Sequence, residues 1–188
     1  MARTLYHIPA WHNRVDCGVD EIPQEYEGFA TRLLRHASED FWQRAEIYWD
    51  AVETALDRLA LTGNTLYIFS DSVHNISAEM ENAMLDAARK GSRHQQVVLQ
   101  MLYDGGKLMI TEDDDRIEYD KKYESGASLE RRDAAIARNI NDQLDEEHTG
   151  VLILGMAHKT WKTYLDPDIA VIDILPDRDV EILEERLG

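Results

Sequence analysis

Residues Gly150 to His158 read GVLILGMAH, an unbroken apolar run that empties straight into a Gly-x-x-His turn. The pattern predicts a strand with an imidazole at its end. In an open α/β sheet, ligands bind at the carboxyl ends of parallel strands, where loops leave in different directions and open a crevice. His158 is therefore the first candidate functional residue. Gly155, ahead of it, permits close backbone approach by a ligand.

Working outward, apolar runs at Thr4 to Ile8, Thr65 to Phe69, Lys107 to Thr111 and Ala170 to Leu175 join Val151 to Leu154 as expected strands. Polar, periodic segments separate them. Trp42, Ala45, Trp49, Val52, Leu56 and Leu59 recur at spacings of three and four, which puts them on one helix face as a core stripe. Glu25 to Ala37, with Phe29, Leu33 and Leu34, is expected to form a separate helix. Ser77 is positioned to cap a helix over Ala78 to Arg89, stopped by Gly91, and a shorter helix is expected over His94 to Tyr103. Ser128 is expected to open the longest later helix, burying Leu129, Ile136, Ile140 and Leu144, and Val180 to Leu187 a last one. Alternating strands and helices imply an α/β fold, a mainly parallel sheet covered by helices on both faces. The segment Glu25 to Ala60 exceeds what one crossover needs and reads as a helical insert after the first strand. With no repeat or Pro/Gly/Ser-rich linker, residues 1–188 are expected to form one domain.

Composition narrows the partners. With 37 acidic against 20 basic residues, the formal charge is −17. Such a field repels phosphate backbones and anionic bilayers, so neither nucleic acid nor membrane is expected. One cysteine, Cys17, cannot form an internal disulfide, and its flanking carboxylates disfavour a nucleophilic thiolate. The first residues carry neither a signal-peptide pattern nor an apolar run of spanning length, and a cytoplasmic location is expected.

If the strands are parallel, the residues just past their ends share one edge. These are His7 and His12, then Asp71 and His74, then Glu112 with Asp113, then His158. Imidazole and carboxylate are the ligand set of Zn, Mn and Fe(II), and also serve as general acids and bases. His7 lies within a strand run and reads as a core histidine. His36, His94 and His148 lie on or beside expected helices without acidic or cysteine partners at ligand spacing, and read as surface. Ser70 and Ser72 flank Asp71, with no base marked beside them. Motifs for zinc peptidases, dinucleotide binding, NTPases and the nucleophile elbow are missing from the sequence.

The stretch ERRDAAIARNINDQL, Glu130 to Leu144, followed by GVLILGMAH, resembles the erythromycin-esterase, ChaN and TraB-like superfamily. That group has an Arg-Asp-x-x-x-Ala helix leading into a strand and a G-x-x-H turn. An earlier strand of the group also ends in G-x-x-H, and LYHIPAWHN, Leu5 to Asn13, occupies the corresponding place with Pro9 where the group has glycine. The resemblance implies a site between two histidine turns, carried by His12 and His158, with Arg131 or Arg132 as partner for an anion or carboxylate. Members include metal-dependent hydrolases, an esterase and a haem-binding protein.

The leading expectation is a metal-assisted hydrolase of a small or peptide-like substrate. His12 and His158, with Glu112 or Asp71, would hold a divalent ion such as Mn or Zn, and Arg131 or Arg132 would stabilise developing negative charge. The competing expectation is a non-catalytic module that captures a metabolite or haem in the same crevice, with the helical insert forming a homo-oligomer contact.

Overall fold

The structure is a computed structural model that describes residues 2–16, 35–59, 61, 65–71, 73–112 and 126–174. Strands β1 (Arg3–Ala10), β2 (Leu66–Ser70), β3 (Lys107–Met109), β4 (Thr149–Gly155) and β5 (Ile169–Asp173) form one sheet in the order β3-β2-β4-β1-β5. Every pairing is parallel. Helices α1 (Glu39–Leu59), α2 (Ala78–Lys90), α3 (Arg93–Tyr103) and α4 (Gly126–Gln143), with a 3-10 turn at Trp161–Tyr164, complete the described elements. Among the described residues no helix is long and apolar enough to cross a membrane.

The unbroken apolar run explains the place of β4. It is the middle strand, with Thr149 opposite Thr4 on β1 and Leu66 on β2, and its residues from Gly150 to Gly155 are buried. Alternate side chains enter different layers. Val151 and Ile153 join Ile8, Ile68, Trp49, Val52, Met84 and Val97 under α1, α2 and α3. Leu152 and Leu154 join Leu5, Phe69, Ile136, Ile140 and Trp161 under α4 and the 3-10 turn. Connections from β1 through β2 to β3 therefore run over one face, and those from β3 through β4 to β5 over the other. Because β4 lies between β1 and β2, loops at adjacent strand ends depart to opposite faces, which is the condition for a crevice.

The α1 stripe is buried at Trp42, Ala45, Trp49 and Val52, with Tyr48 beside them, whereas Leu59 at its end is exposed. Trp49 Nε1 donates to the Trp11 carbonyl at 2.8 Å, and the Tyr48 hydroxyl donates to the Pro9 carbonyl. Both bonds fasten α1 to the chain entering His12. Ser77 caps α2 by accepting from the Met80 N–H, and Gly91 closes it at φ 107°, a left-handed conformation that favours glycine. Ser92 then caps α3.

Several boundaries differ from expectation. Helix α4 begins at Gly126, so Ser128 lies inside it rather than before it. Strand β3 ends at Met109 because Ile110 turns to Gln143, whose side chain bonds both its N–H and its carbonyl, and Thr111 N–H turns to the Val73 carbonyl. Residues 35–37 are turn and coil, not helix. The rest of the expected Glu25 to Ala37 helix, most of the insert before α1, Ser72, Asp113, Leu175 and the Val180 to Leu187 helix lie outside the described residues.

Arg3 anchors the amino-terminal edge. Its guanidinium donates to Asp166 and Asp168 and to the Asn141 and Leu144 carbonyls, each at 2.8 to 2.9 Å. It therefore caps the carbonyls at the end of α4 and holds the chain entering β5. Arg3→Ala is expected to cost about 2 kcal/mol, roughly the worth of one or two charge-assisted hydrogen bonds. A melting temperature lowered by roughly 4 to 8 °C would show it.

Candidate functional site

Four strand ends and α4 meet above the sheet. After β4, the chain makes a turn closed by His158 N–H donating to the Gly155 carbonyl at 3.0 Å, which carries His158 back toward α4. There His158 Nδ1 lies 2.6 Å from Asp133 Oδ1, with both residues buried. The other Asp133 oxygen accepts from Thr160 N–H and Thr160 Oγ1, each at 2.7 Å. Burial alone would raise the Asp133 pKa, but hydrogen bonds from His158 and Thr160 hold it below the usual carboxylate range. An ionised Asp133 accepts the His158 Nδ1–H, which leaves Nε2 as the nitrogen that can exchange a proton.

The ends of β2 and β3 supply a second group. Asp71 N–H continues the ladder by donating to the Ile153 carbonyl, and Thr111 and Glu112 N–H groups both donate to the Val73 carbonyl. These bonds bring Asp71 and Glu112 to the same guanidinium. Arg132 holds Glu112 by a fork, at 2.9 and 2.8 Å, and reaches Asp71 Oδ1 at 3.2 Å. Burial pushes Glu112 up and Arg132 opposes it, while the Asp71 charge adds to the rise. For Asp71 burial also acts upward, but His158, Glu112, Arg132 and His12 outweigh it and hold the carboxyl well below its ordinary value.

His12 faces this group from the end of β1. Its Nε2 is 3.9 Å from Asp71 Oδ2, beyond hydrogen-bond length. Gly155 lies against both groups: a Cβ built there would stand 3.2 Å from His12 Nε2 and 3.4 Å from Asp71 Oδ2. Gly155→Ala is expected to leave the fold intact and displace the His12 ring, whose Nε2 is the nearest atom. Loss of ligand or substrate turnover with an unchanged melting temperature would be the sign.

The expected residues are thus placed as follows. Asp71, Glu112 and Arg132 form one network, His158 pairs with Asp133, and His12 lies across from Asp71. Arg132 is engaged by two carboxylates, so it sets their positions rather than facing an incoming anion. Arg131, its neighbour, lies on the exposed side of α4. His74 is half-buried on the loop between β2 and α2. Of the four side chains expected to share a metal, Glu112 has both oxygens on Arg132 and Asp71 has one. Among the described residues, no group of three or more His, Cys, Asp or Glu side chains is arranged to hold a metal ion.

Two histidines expected at the surface are not exposed. His94 is buried, with Nε2 2.8 Å from Ser70 Oγ, because the first turn of α3 packs against β2. His148 stacks on Tyr67 with ring centroids 4.0 Å apart and bonds to Asp145. His7 is buried as expected, with Nδ1 2.6 Å from Asp173. The sequence pattern does not single out Asp133 and Thr160 as site residues. Their signal was adjacency, since Asp133 follows Arg132 and Thr160 follows His158 by two residues.

No protein-family model, curated protein or solved structure matches this chain.

Proposed function

We propose that this chain is a hydrolase of a small or peptide-like substrate, with His158 as its proton-handling group. The observation that carries the reading is the Thr160–Asp133–His158 series. A carboxylate fixed on one side by Thr160 and on the other by His158 Nδ1 orients the imidazole and supports positive charge when Nε2 accepts a proton. Water attacking an ester or amide carbonyl loses its proton to His158 Nε2, and the same nitrogen returns it to the leaving group. His12 and Asp71, which Gly155 leaves open to a ligand, bind the substrate on the other side of the crevice. Arg132 holds Asp71 in place.

The similarity of ERRDAAIARNINDQL and GVLILGMAH to the erythromycin-esterase, ChaN and TraB-like superfamily agrees with a hydrolytic role for the two histidine turns. A divalent ion, Mn or Zn, is the second reading. It is favoured by the same Asp133 bond, because metal-binding histidines commonly pass their other ring N–H to a carboxylate. The engagement of Glu112 and Asp71 with Arg132 weighs against the full ligand set. A net charge of −17 opposes a nucleic-acid substrate.

A panel of activated esters and small peptides, offered to chelator-treated protein with and without added Mn²⁺ or Zn²⁺, tests both readings. Turnover without metal that disappears in His158→Ala supports the first. Turnover only with metal transfers the role of His158 to the ion, and the absence of turnover under every condition would refute the hydrolase.

A further inference from the structure

A buried polar pair stands behind His12 and takes no part in the chemistry above. Ser70 and His94 are 0% and 4% exposed, with their polar atoms 2.8 Å apart. The His94 ring stacks on Trp49, with centroids 6.0 Å apart and planes 11° apart, and meets His12 at 5.7 Å and 41°. Trp49 in turn donates to the Trp11 carbonyl, one residue before His12. The chain segment carrying His12 and the His12 ring are therefore both referred to the same stack. His12 Nδ1 is buried without a hydrogen-bond partner among the described residues. The orientation of its ring is consequently set by packing rather than by a bond at that nitrogen.

We infer that His94, locked by Ser70 and Trp49, is a positioning residue that holds the His12 ring toward Asp71. This rests on the reading of the crevice as a hydrolytic site, but its test does not. The charged groups facing His94 are His12, Asp16 and Asp71. Burial first, and then the His12 charge, push His94 down to about 4 against the pull of the two carboxylates.

Imidazole ¹H–¹⁵N NMR of the full chain, wild type beside Ser70→Ala and His94→Ala, reads the consequence directly. In both variants the His12 signals are expected to shift and broaden, because the ring loses its fixed wall. In a substrate assay the same variants are expected to raise KM about tenfold with kcat largely retained, because the displaced His12 ring belongs to the substrate-binding side of the crevice. Unchanged His12 signals and titration in folded Ser70→Ala would overturn the inference, whether or not His94→Ala folds. A chain that hydrolyses nothing yet shows the His12 change would lose the hydrolase reading and keep this one.

Discussion

Asp133→Asn is expected to reduce hydrolytic turnover on the order of 10³ to 10⁴-fold while the protein stays folded. The reason is a contest for one oxygen. Thr160 presents two donors, N–H and Oγ1–H, to the same Asp133 oxygen. An asparagine has a single acceptor oxygen, and two donors claim it, so the amide NH₂ is left facing His158 Nδ1. That nitrogen must then accept, the proton moves to Nε2, and the base is in the wrong tautomer. His158→Ala should cost about as much, and the double variant no more than either single one, because the pair acts as a unit. Additive losses would mean that Asp133 serves some purpose other than holding His158.

Arg132→Met is expected to give the largest loss of stability, about 3 to 5 kcal/mol at pH 7 to 8, because it strands two buried carboxylates. Glu112 is 2% exposed and the Asp71 side chain 12%. The pH dependence has a definite sign. In the wild type the depressed Asp71 pKa contributes stability above the ordinary carboxylate range, which is lost as pH falls through the folded value. Glu112 acts oppositely: its raised pKa favours the fold at low pH, and that contribution is lost as pH rises through the folded value. Removing the guanidinium reduces the first effect and enlarges the second, so both changes penalise the variant most at neutral pH. Its deficit should narrow toward pH 4, where protonation removes the stranded charge. Urea unfolding across pH 4 to 8 measures this, and a deficit independent of pH would show that packing, not charge, is the role of Arg132.

Much of the architecture was legible because a parallel sheet writes its centre into the sequence. Val151 to Leu154 are apolar on consecutive residues, as only a strand covered on both faces needs to be. Once the strands are parallel, their carboxyl ends share an edge, which puts Asp71, Glu112 and His158 along it, whereas their being neighbours follows from the order β3-β2-β4, which the sequence does not state. What periodicity does not reveal is which side chain satisfies which. Arg132 and Arg131 are adjacent in sequence, yet one enters the network and the other lies exposed, a difference set by how α4 is rotated on the sheet. His94 was unreadable for a related reason: its partner Ser70 is 24 residues away and on a different element. The early end of β3 was equally hidden, since it depends on Gln143 and Val73 competing for backbone groups that a longer strand would have paired.

The most direct measurement is the rate of activated-ester hydrolysis by chelator-treated protein, wild type beside His158→Ala and Asp133→Asn. Turnover in the wild type that both variants lose, with melting temperatures preserved, is the predicted result. Equal rates in all three proteins, or none in any of them, would contradict the assignment of His158 and Asp133 as a hydrolytic centre.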